Sequence, residues 1–233
     1  MKSLESGGVA VVFGASGGIG AALFAALQDA GQFKAVHGFS RQSAVPVELT
    51  DEASLANAVE VAAQSGAVRL VIDATGFLHG QGMMPEKTWR VLDADQLAHA
   101  FAINTIGPAL LMKHMLPKLP RMGKAVFATL SARVGSIEDN RLGGWYSYRA
   151  SKAALNQIVR TAAIELSRRA PDALCVALHP GTVATPLSDS FAKAGLDVLT
   201  PAQSAQHLLS VIDQLDADAT GGFFDWRGDQ VLW

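Results

Sequence analysis

The amino-acid sequence predicts an α/β protein with a doubly wound, parallel sheet of about seven strands and helices on both faces. Two observations predict this fold class. Short apolar runs alternate with helical patterns along the whole chain, and a glycine-rich turn joins the first apolar run to the first helical pattern. The chain has 233 residues and no internal repeat or linker, so residues 1–233 are expected to form a single domain.

The strands are predicted from short apolar runs that end in small or polar residues. The first run, Val-Ala-Val-Val-Phe at 9–13, has no polar position, which is typical of a strand buried on both faces. In open sheets of this kind, ligands bind at the carboxyl ends of the strands. The predicted strands span residues 9–13, 34–39, 45–49, 69–73, 125–130, 174–178 and 221–225.

Helical patterns lie between these strands. Apolar residues recur at helical spacing over 19–27 and stop at Gly31, and Thr50 is the expected N-cap of a second helix. The pattern over 97–115 contains Pro108, which has no N–H, so the main-chain carbonyl of Asn104 loses its helical donor. A plain proline kink is the alternative. Two further helices are expected from Tyr148 to before Pro171 and from Thr200-Pro201 onward.

The first strand leads into a glycine-rich turn, Gly14-Ala-Ser-Gly-Gly-Ile-Gly20. Small residues let a backbone approach a diphosphate closely, and the N–H groups of the following helix point at it. The spacing differs from Gly-x-Gly-x-x-Gly and leaves a wider loop. The turn therefore predicts a dinucleotide site in a Rossmann fold, with a merely flexible turn as the alternative.

The second strand ends in Ser40-Arg41, with no acidic residue after it. In dinucleotide folds, an acid near this point binds the adenosine ribose, whereas a cation accommodates a 2′-phosphate. Arg41 therefore favours NADP(H) over NAD(H). An exposed arginine without a ligand is the alternative.

Tyr148 and Lys152 are four residues apart in a helical pattern, so their side chains are expected on one face. An ammonium beside a phenol favours the phenolate and lowers the phenol's pKa from its usual value of about 10. The pair is a candidate general acid/base. A solvated helix face is the alternative, because this spacing often occurs by chance.

Composition excludes several classes of protein. The net charge is −2, without acidic or basic blocks, so neither nucleic acid nor an anionic membrane is an expected partner. The uncharged stretch 6–28 is interrupted by glycines, which argues against a membrane span, and no signal peptide is evident. The single cysteine cannot form an intrachain disulfide, and the histidines show no metal-binding spacing. We expect a cytoplasmic protein without a metal.

Taken together, these motifs resemble the short-chain dehydrogenase/reductase family over essentially the full chain, and most closely its C-factor-like, sniffer-type carbonyl reductases. The resemblance is carried by motifs in the family's order: the glycine turn, Asp73-Ala-Thr-Gly76, Asn104, Ser131, Tyr148-x-x-x-Lys152, Pro180-Gly-Thr-Val-Ala-Thr185, and the ending 224–233, Phe-Asp-Trp-Arg-Gly-Asp-Gln-Val-Leu-Trp.

The resemblance implies roles for these residues. Tyr148 would donate a proton to a carbonyl oxygen, Lys152 would lower the phenol's pKa and hold the nicotinamide ribose, and Ser131 would bind the substrate oxygen. The Asn104 carbonyl would bind a water on the proton path to Lys152. The implied cofactor-binding residues are Gly14, Ser16, Gly17, Gly18, Ile19, Gly20, Ser40, Arg41, Asp73, Ala74, Thr75, Gly76, Tyr148, Lys152, Pro180, Gly181, Thr182, Val183 and Thr185.

Three positions depart from the family's pattern. Phe13 stands where threonine is usual, and Asp73 and Thr75 alter the motif Asn-Asn-Ala-Gly. Many relatives have two consecutive serines with the catalytic one second, and that second position here is Ala132. Ser131 is the predicted replacement, and Ser136 or a purely structural Ser131 are the alternatives.

The sequence therefore predicts an NADP-dependent oxidoreductase that reduces a carbonyl or oxidises a secondary alcohol on a small molecule. A C-factor-like regulatory or signalling protein that binds the cofactor with little turnover is the alternative. The apolar outer faces of the Asn104 and Tyr148 helices suggest a homodimer or homotetramer. Substrate specificity is expected from the segments after Phe77 and around 185–196.

Overall fold

The computed structural model describes residues 1–188 and 197–233. The strands are β1 (Val9–Phe13), β2 (Ala35–Phe39), β3 (Val68–Asp73), β4 (Ala125–Leu130), β5 (Ala173–His179), β6 (Thr182–Val183), β7 (Val198–Leu199) and β8 (Phe223–Asp225). The main sheet has six parallel strands in the order β2-β1-β3-β4-β5-β8, and the two short strands β6 and β7 pair with each other.

Helices cover both faces of the sheet, as predicted. The helices are α1 (Gly18–Asp29), α2 (Glu52–Gln64), α3 (Ala94–Phe101), α4 (Gly107–Met115), α5 (Tyr146–Arg169) and α6 (Pro201–Gln214). One core layer packs α2, α4 and α5 against the sheet, and the other packs α1 and α6 against its opposite face. Because β1, β3 and β4 are buried on both faces, their sequences are continuous apolar runs.

The strand predicted at 45–49 is absent from the structure, so the main sheet has six strands rather than about seven. Val47 and Leu49 are buried against the α2 side of the core, which explains the alternating apolar pattern. The backbone there bonds to local groups: the N–H of Val47 donates to the Ser40 carbonyl. Pro46 also has no N–H to give a neighbouring strand.

The predicted helix at 97–115 is continuous but irregular. A π-helical turn at Ala102–Ile106 joins α3 to α4, and the N–H of Gly107 donates to the carbonyl of Ala102, five residues earlier. Pro108 follows immediately in the first turn of α4. The proline therefore lies where the helical hydrogen-bond pattern changes, and Asn104 lies inside the widened turn.

The strand order reverses between β1 and β3, because the chain leaves β1 for β2 on one side and returns to β3 on the other. This switch opens a crevice at the carboxyl ends of the two strands. The glycine turn, Asp73 and the start of α1 all lie at that edge. In the described part of the chain, no helix is both long and apolar enough to cross a membrane.

Candidate active site

Tyr148 and Lys152 lie in the first two turns of α5, beside the carboxyl end of β4. The Lys152 ammonium is buried and donates from Nζ to the main-chain carbonyl oxygen of Leu130 at 2.8 Å. Burial lowers the pKa of Lys152 to about 8, against the opposing effect of the Asp73 carboxylate. The ammonium is thus held at the sheet edge, close to its titration range.

The pKa of the Tyr148 phenol differs in direction from the sequence prediction. Burial raises the pKa to about 12, because desolvation disfavours the phenolate. Desolvation is the cause of this shift, and the Lys152 ammonium donates its hydrogen bond to the Leu130 carbonyl. Tyr148 is consequently a protonated donor at neutral pH, as reduction of a carbonyl requires.

Asp73 is fully buried at the end of β3 and has hydrogen-bond donors on both carboxylate oxygens. Oδ1 accepts from the Thr75 N–H at 3.1 Å and from Thr75 Oγ1 at 2.6 Å, and Oδ2 accepts from Thr129 Oγ1 at 2.7 Å. These donors compensate for removing the carboxylate from water. Thr75 therefore stabilises the buried Asp73 carboxylate, and both residues depart from the family motif.

The Asn104 side chain joins the segment after β3 to α5. Its Oδ1 accepts from the Phe77 N–H at 2.7 Å, and its Nδ2 donates to the Phe77 carbonyl at 2.8 Å and to Ser151 Oγ at 3.0 Å. A Cβ added at Gly76 would lie 3.6 Å from Asn104 Oδ1 and 3.7 Å from Lys152 Nζ. The structure thus brings Asn104, Gly76 and Lys152 together.

Ser131 is buried after β4, and its hydroxyl donates to Asn156 Oδ1 at 2.7 Å. A hydroxyl has one proton, so in this arrangement Ser131 has none to donate to a substrate oxygen. The alternative residue, Ser136, accepts from the Asp139 N–H at 3.1 Å and is also buried. Both serines therefore have intramolecular partners that sequence patterns did not indicate.

The glycine turn at 14–20 is tightly packed on itself and against the end of β3. Gly14 has φ +77°, and a Cβ there would lie 2.9 Å from the Ala74 carbonyl group. A Cβ at Gly20 would lie 2.1 Å from the Gly14 oxygen. Gly17 is the N-cap of α1 and no side chain caps that helix, so its first N–H groups can face a ligand. Ser16 is exposed in this turn, and Ile19 packs against the core.

The predicted loop at 180–185 lies against the same turn. A Cβ added at Gly18 would be 2.7 Å from Thr185 Cγ2, so the two loops are in contact. Ser204 Oγ donates to the Pro180 carbonyl at 2.9 Å, and Gly181, with φ +84°, packs on the Trp226 ring. Thr182 and Val183 pair with β7. Of the predicted specificity segment around 185–196, residues 189–196 lie outside the described residues.

Ser40 and Arg41 form a tight turn after β2, at the same edge of the sheet. The Ser40 N–H donates to Ser43 Oγ at 3.0 Å, and Ser40 Oγ accepts from the Gln42 N–H at 3.1 Å. Arg41 is exposed beyond this turn. The structure therefore places an exposed cation just after the carboxyl end of β2.

Glu86 is a site residue that sequence reasoning missed. It is buried, and its carboxylate accepts from the N–H of Ser147 at 3.2 Å and from the Ser147 hydroxyl. Its main-chain carbonyl accepts from the Trp145 N–H at 2.5 Å. No local pattern could have predicted these contacts, because Glu86 lies 61 residues from Ser147 in an aperiodic segment.

Trp145 precedes α5 in a left-handed conformation, with φ +55°. Gly143 and Gly144 have φ of +63° and +67°, so three successive residues occupy this region. The Trp145 ring meets Tyr148 edge-on, with 6.2 Å between ring centroids. The strained turn thus places an aromatic wall beside the candidate acid.

The sheet order, with the glycine turn at the switch point, defines a Rossmann-type α/β fold, and the Tyr148/Lys152 pair is a candidate acid/base pair at its carboxyl edge. A family model described as enoyl-(acyl carrier protein) reductase matches residues 13–219. The chain belongs to the short-chain dehydrogenase/reductase family. The fold and family predicted from the sequence are both confirmed.

Among curated relatives, the C-signal protein of Myxococcus xanthus is 38% identical over 143 residues, which cover 61% of this chain and 81% of that protein. The 1-hydroxy-2-glutathionyl-2-methyl-3-butene dehydrogenase of Rhodococcus sp. (strain AD45) is 37% identical over 142 residues, 61% of each chain. The match therefore spans less than two thirds of that dehydrogenase.

Among solved structures, NADPH-bound carbonyl reductase from chicken fatty liver has a TM-score of 0.85 and 27% identity, with 99% of this chain and 100% of that chain covered. The carbonyl reductase Sniffer of Drosophila melanogaster has a TM-score of 0.84 at 23% identity, with 98% and 100% covered, and shows the shared fold. These likenesses support the C-factor-like, carbonyl reductase branch.

Proposed function

We propose that this protein is an NADPH-dependent oxidoreductase that reduces a carbonyl group, or oxidises a secondary alcohol, on a small molecule. The observation that carries the proposal is the buried Lys152 ammonium one helical turn from Tyr148, at the edge of the sheet that also carries the glycine turn and the uncapped start of α1. The NADPH-bound relative of similar structure supports the same reaction class.

Bound NADPH would supply the hydride. In reduction, Tyr148 gives its phenolic proton to the substrate oxygen as the carbonyl becomes an alcohol, and regains a proton from solvent afterwards. Lys152, held by the Leu130 carbonyl, provides the positive charge that favours the transient phenolate. The uncapped start of α1, at the end of the glycine turn, would offer its N–H groups to the diphosphate.

Preference for NADPH is assigned to Ser40 and Arg41. An exposed guanidinium can form bidentate, charge-assisted hydrogen bonds with a 2′-phosphate. The absence of an acid in this turn removes the usual partner of the NAD ribose. Both features favour the phosphorylated cofactor.

The test is NADPH consumption by the purified protein with a panel of aldehydes and ketones. Tyr148→Phe should lower kcat by about 10²- to 10⁴-fold, the contribution typical of general acid catalysis, and leave NADPH binding intact. Tyr146→Phe is the matched control, because it removes the other tyrosine hydroxyl of the same helix turn. Undiminished turnover by Tyr148→Phe would exclude the proposed acid.

A regulatory role with little turnover is the second candidate. It is favoured by the commitment of the Ser131 hydroxyl to Asn156 and by the likeness to C-signal. Tight NADPH binding, measured by fluorescence, with no consumption across the carbonyl panel would support this role over the enzymatic one.

We also propose that the chain forms a homo-oligomer through α4 and α5. A groove of about 390 Å³ runs between the outer faces of these helices and is mainly apolar. It is lined by Met112, Leu116, Ile158, Ala162 and Leu166. Light scattering should give at least twice the monomer mass of 24.4 kDa, and Ile158→Glu should reduce it. A monomeric wild type would exclude the proposal.

A further inference from the structure

Helix α5, which carries Tyr148 and Lys152, has no cap from its own N-terminal sequence. Its N-cap residue is Trp145, whose side chain makes no capping bond. The first N–H groups of a helix need partners from elsewhere. Glu86 supplies one, because its carboxylate accepts from the Ser147 N–H at 3.2 Å.

Glu86 is a buried carboxylate, with 3% of its surface exposed. None of the ion pairs in the described part of the chain involves it. A buried charge is costly unless hydrogen bonds and oriented dipoles compensate for the lost water. Here the compensation comes from the Ser147 N–H and hydroxyl and from the positive end of α5. The energy of burying Glu86 is therefore coupled to the position of the α5 N-terminus.

The same residue also holds the strained turn before the helix. Its main-chain carbonyl accepts from the Trp145 N–H at 2.5 Å. On the other side, the Arg149 guanidinium donates to the carbonyls of Gly144 at 2.9 Å and Val134 at 3.2 Å. A left-handed tryptophan is retained only where its surroundings hold it. Glu86 and Arg149 provide those surroundings.

We propose that Glu86 is a positioning residue for catalysis, which fixes Trp145 and Tyr148 by clamping the first turn of α5. Glu86 is not catalytic, because it is buried behind that turn and acts through Ser147 and Trp145. It also connects the segment after β3 to the helix that carries the candidate acid. The catalytic part of this inference rests on the proposed oxidoreductase function.

Three variants and one control test the clamp. Glu86→Ala removes the carboxylate, Glu86→Asp shortens it by one methylene, and Glu86→Gln keeps an acceptor for the Ser147 N–H while its amide can donate to the Ser147 hydroxyl. Asp93→Ala is the matched control, because Asp93 caps α3, not α5, from the same segment, through the Gln96 N–H at 2.9 Å.

We expect Glu86→Ala to lower kcat/KM for the carbonyl substrate by about 100-fold, the effect of misplacing a reacting group by roughly 1 Å. Glu86→Asp should give an intermediate loss, and Glu86→Gln should restore kcat/KM to within about fivefold. Asp93→Ala should leave kcat/KM near that of wild type. The dissociation constant of NADPH should be unchanged in all four. If Glu86→Ala does not fold, kcat/KM of Glu86→Asp and of Glu86→Gln is compared with that of wild type instead.

Amide hydrogen exchange of the peptide covering 143–150 is the readout that needs no turnover. Exchange should be faster in Glu86→Ala and Glu86→Asp than in wild type, and unchanged in Asp93→Ala. Unchanged exchange in Glu86→Ala and Glu86→Asp overturns the clamp, whether or not the wild type is active. Faster exchange with wild-type kcat/KM overturns the positioning role. A wild type that binds NADPH but reduces no carbonyl overturns the proposed function and the positioning role of Glu86 in it. The exchange measurement still tests the clamp in that case.

Discussion

Lys152 donates from Nζ to the main-chain carbonyl oxygen of Leu130 at 2.8 Å, which ties the second turn of α5 to the last residue of β4. The bond places a buried ammonium at the carboxyl edge of the sheet, with Asp73 as the nearby anion. The protonation state of one lysine therefore determines the charge of the candidate site near neutral pH.

The first prediction concerns pH. Because burial lowers the pKa of Lys152 to about 8, the ammonium is present below that pH and is lost as pH rises through it. The Tyr148 phenol, with its pKa raised to about 12, stays protonated over the same range. We expect kcat/KM for NADPH in the reductive direction to be constant below about pH 8 and to fall above it.

Asp73→Asn should move this inflection to lower pH, because it removes the anion that stabilises the ammonium. The pH dependence of kcat/KM for wild type and variant is the measurement. Asp172→Asn, at the opposite edge of the sheet before β5, is the control and should leave the inflection unchanged. An inflection that does not respond to Asp73→Asn would assign it to another group.

The second prediction concerns Ser131. Its proton is donated to Asn156, so Ser131→Ala is expected to reduce kcat by less than about tenfold, well below the loss typical of removing an oxyanion donor. The free energy of unfolding should fall by about 1–3 kcal/mol, because the variant leaves the buried Asn156 carbonyl without its donor. Steady-state kinetics and urea unfolding measure the two effects.

Asn156→Ala is the companion variant. If the bond is structural, both variants should lose similar stability and retain activity. A loss of 100-fold or more in kcat for Ser131→Ala, with Asn156→Ala active, would instead give Ser131 the substrate-binding role that the family resemblance implies.

The third prediction concerns cofactor choice. Arg41→Ala should weaken NADPH binding by about 10- to 100-fold, as expected for a lost hydrogen bond between charged groups, and leave NADH binding almost unchanged. Fluorescence titration with both cofactors measures the ratio. Arg121→Ala, an exposed arginine before β4 at the opposite edge, is the control. Equal weakening of both cofactors by Arg41→Ala would remove Arg41 from the 2′-phosphate site.

The fourth prediction concerns the glycine turn. A Cβ at Gly20 would lie 2.1 Å from the Gly14 oxygen, so Gly20→Ala must displace the turn and should cost about 1–3 kcal/mol of unfolding free energy as well as NADPH affinity. At Gly17 the nearest contact of an added Cβ is 3.3 Å, with φ −79°, so Gly17→Ala should lower the free energy of unfolding much less. Thermal unfolding distinguishes the two variants, and NADPH titration measures the loss of affinity in Gly20→Ala. Equal effects would show that close packing of the turn is unimportant.

Much of the fold could be predicted from local sequence. The continuous apolar run of β1 reflects a strand covered on both faces, and Pro108 marks the irregular helix because its missing N–H is a property of the residue itself. The strand at 45–49 was wrongly predicted, since burial of Val47 and Leu49 under α2 produces the same alternation as a strand. A periodic apolar pattern indicates which residues are buried. A segment can be buried in this way without the inter-strand hydrogen bonds of a sheet.

The sequence by itself determined the parallel sheet, the glycine turn and the spacing of Tyr148 and Lys152, because each depends on neighbouring residues and their intrinsic geometry. The tertiary structure decided what these groups contact. In the folded chain, the Lys152 ammonium donates to the Leu130 carbonyl and the Ser131 hydroxyl donates to Asn156. The Glu86 carboxylate accepts from the N–H of Ser147 at the start of α5. Partners that lie 22 to 61 residues apart meet only when the sheet and helices pack, and burial at that moment also sets the pKa values on which the proposed chemistry depends.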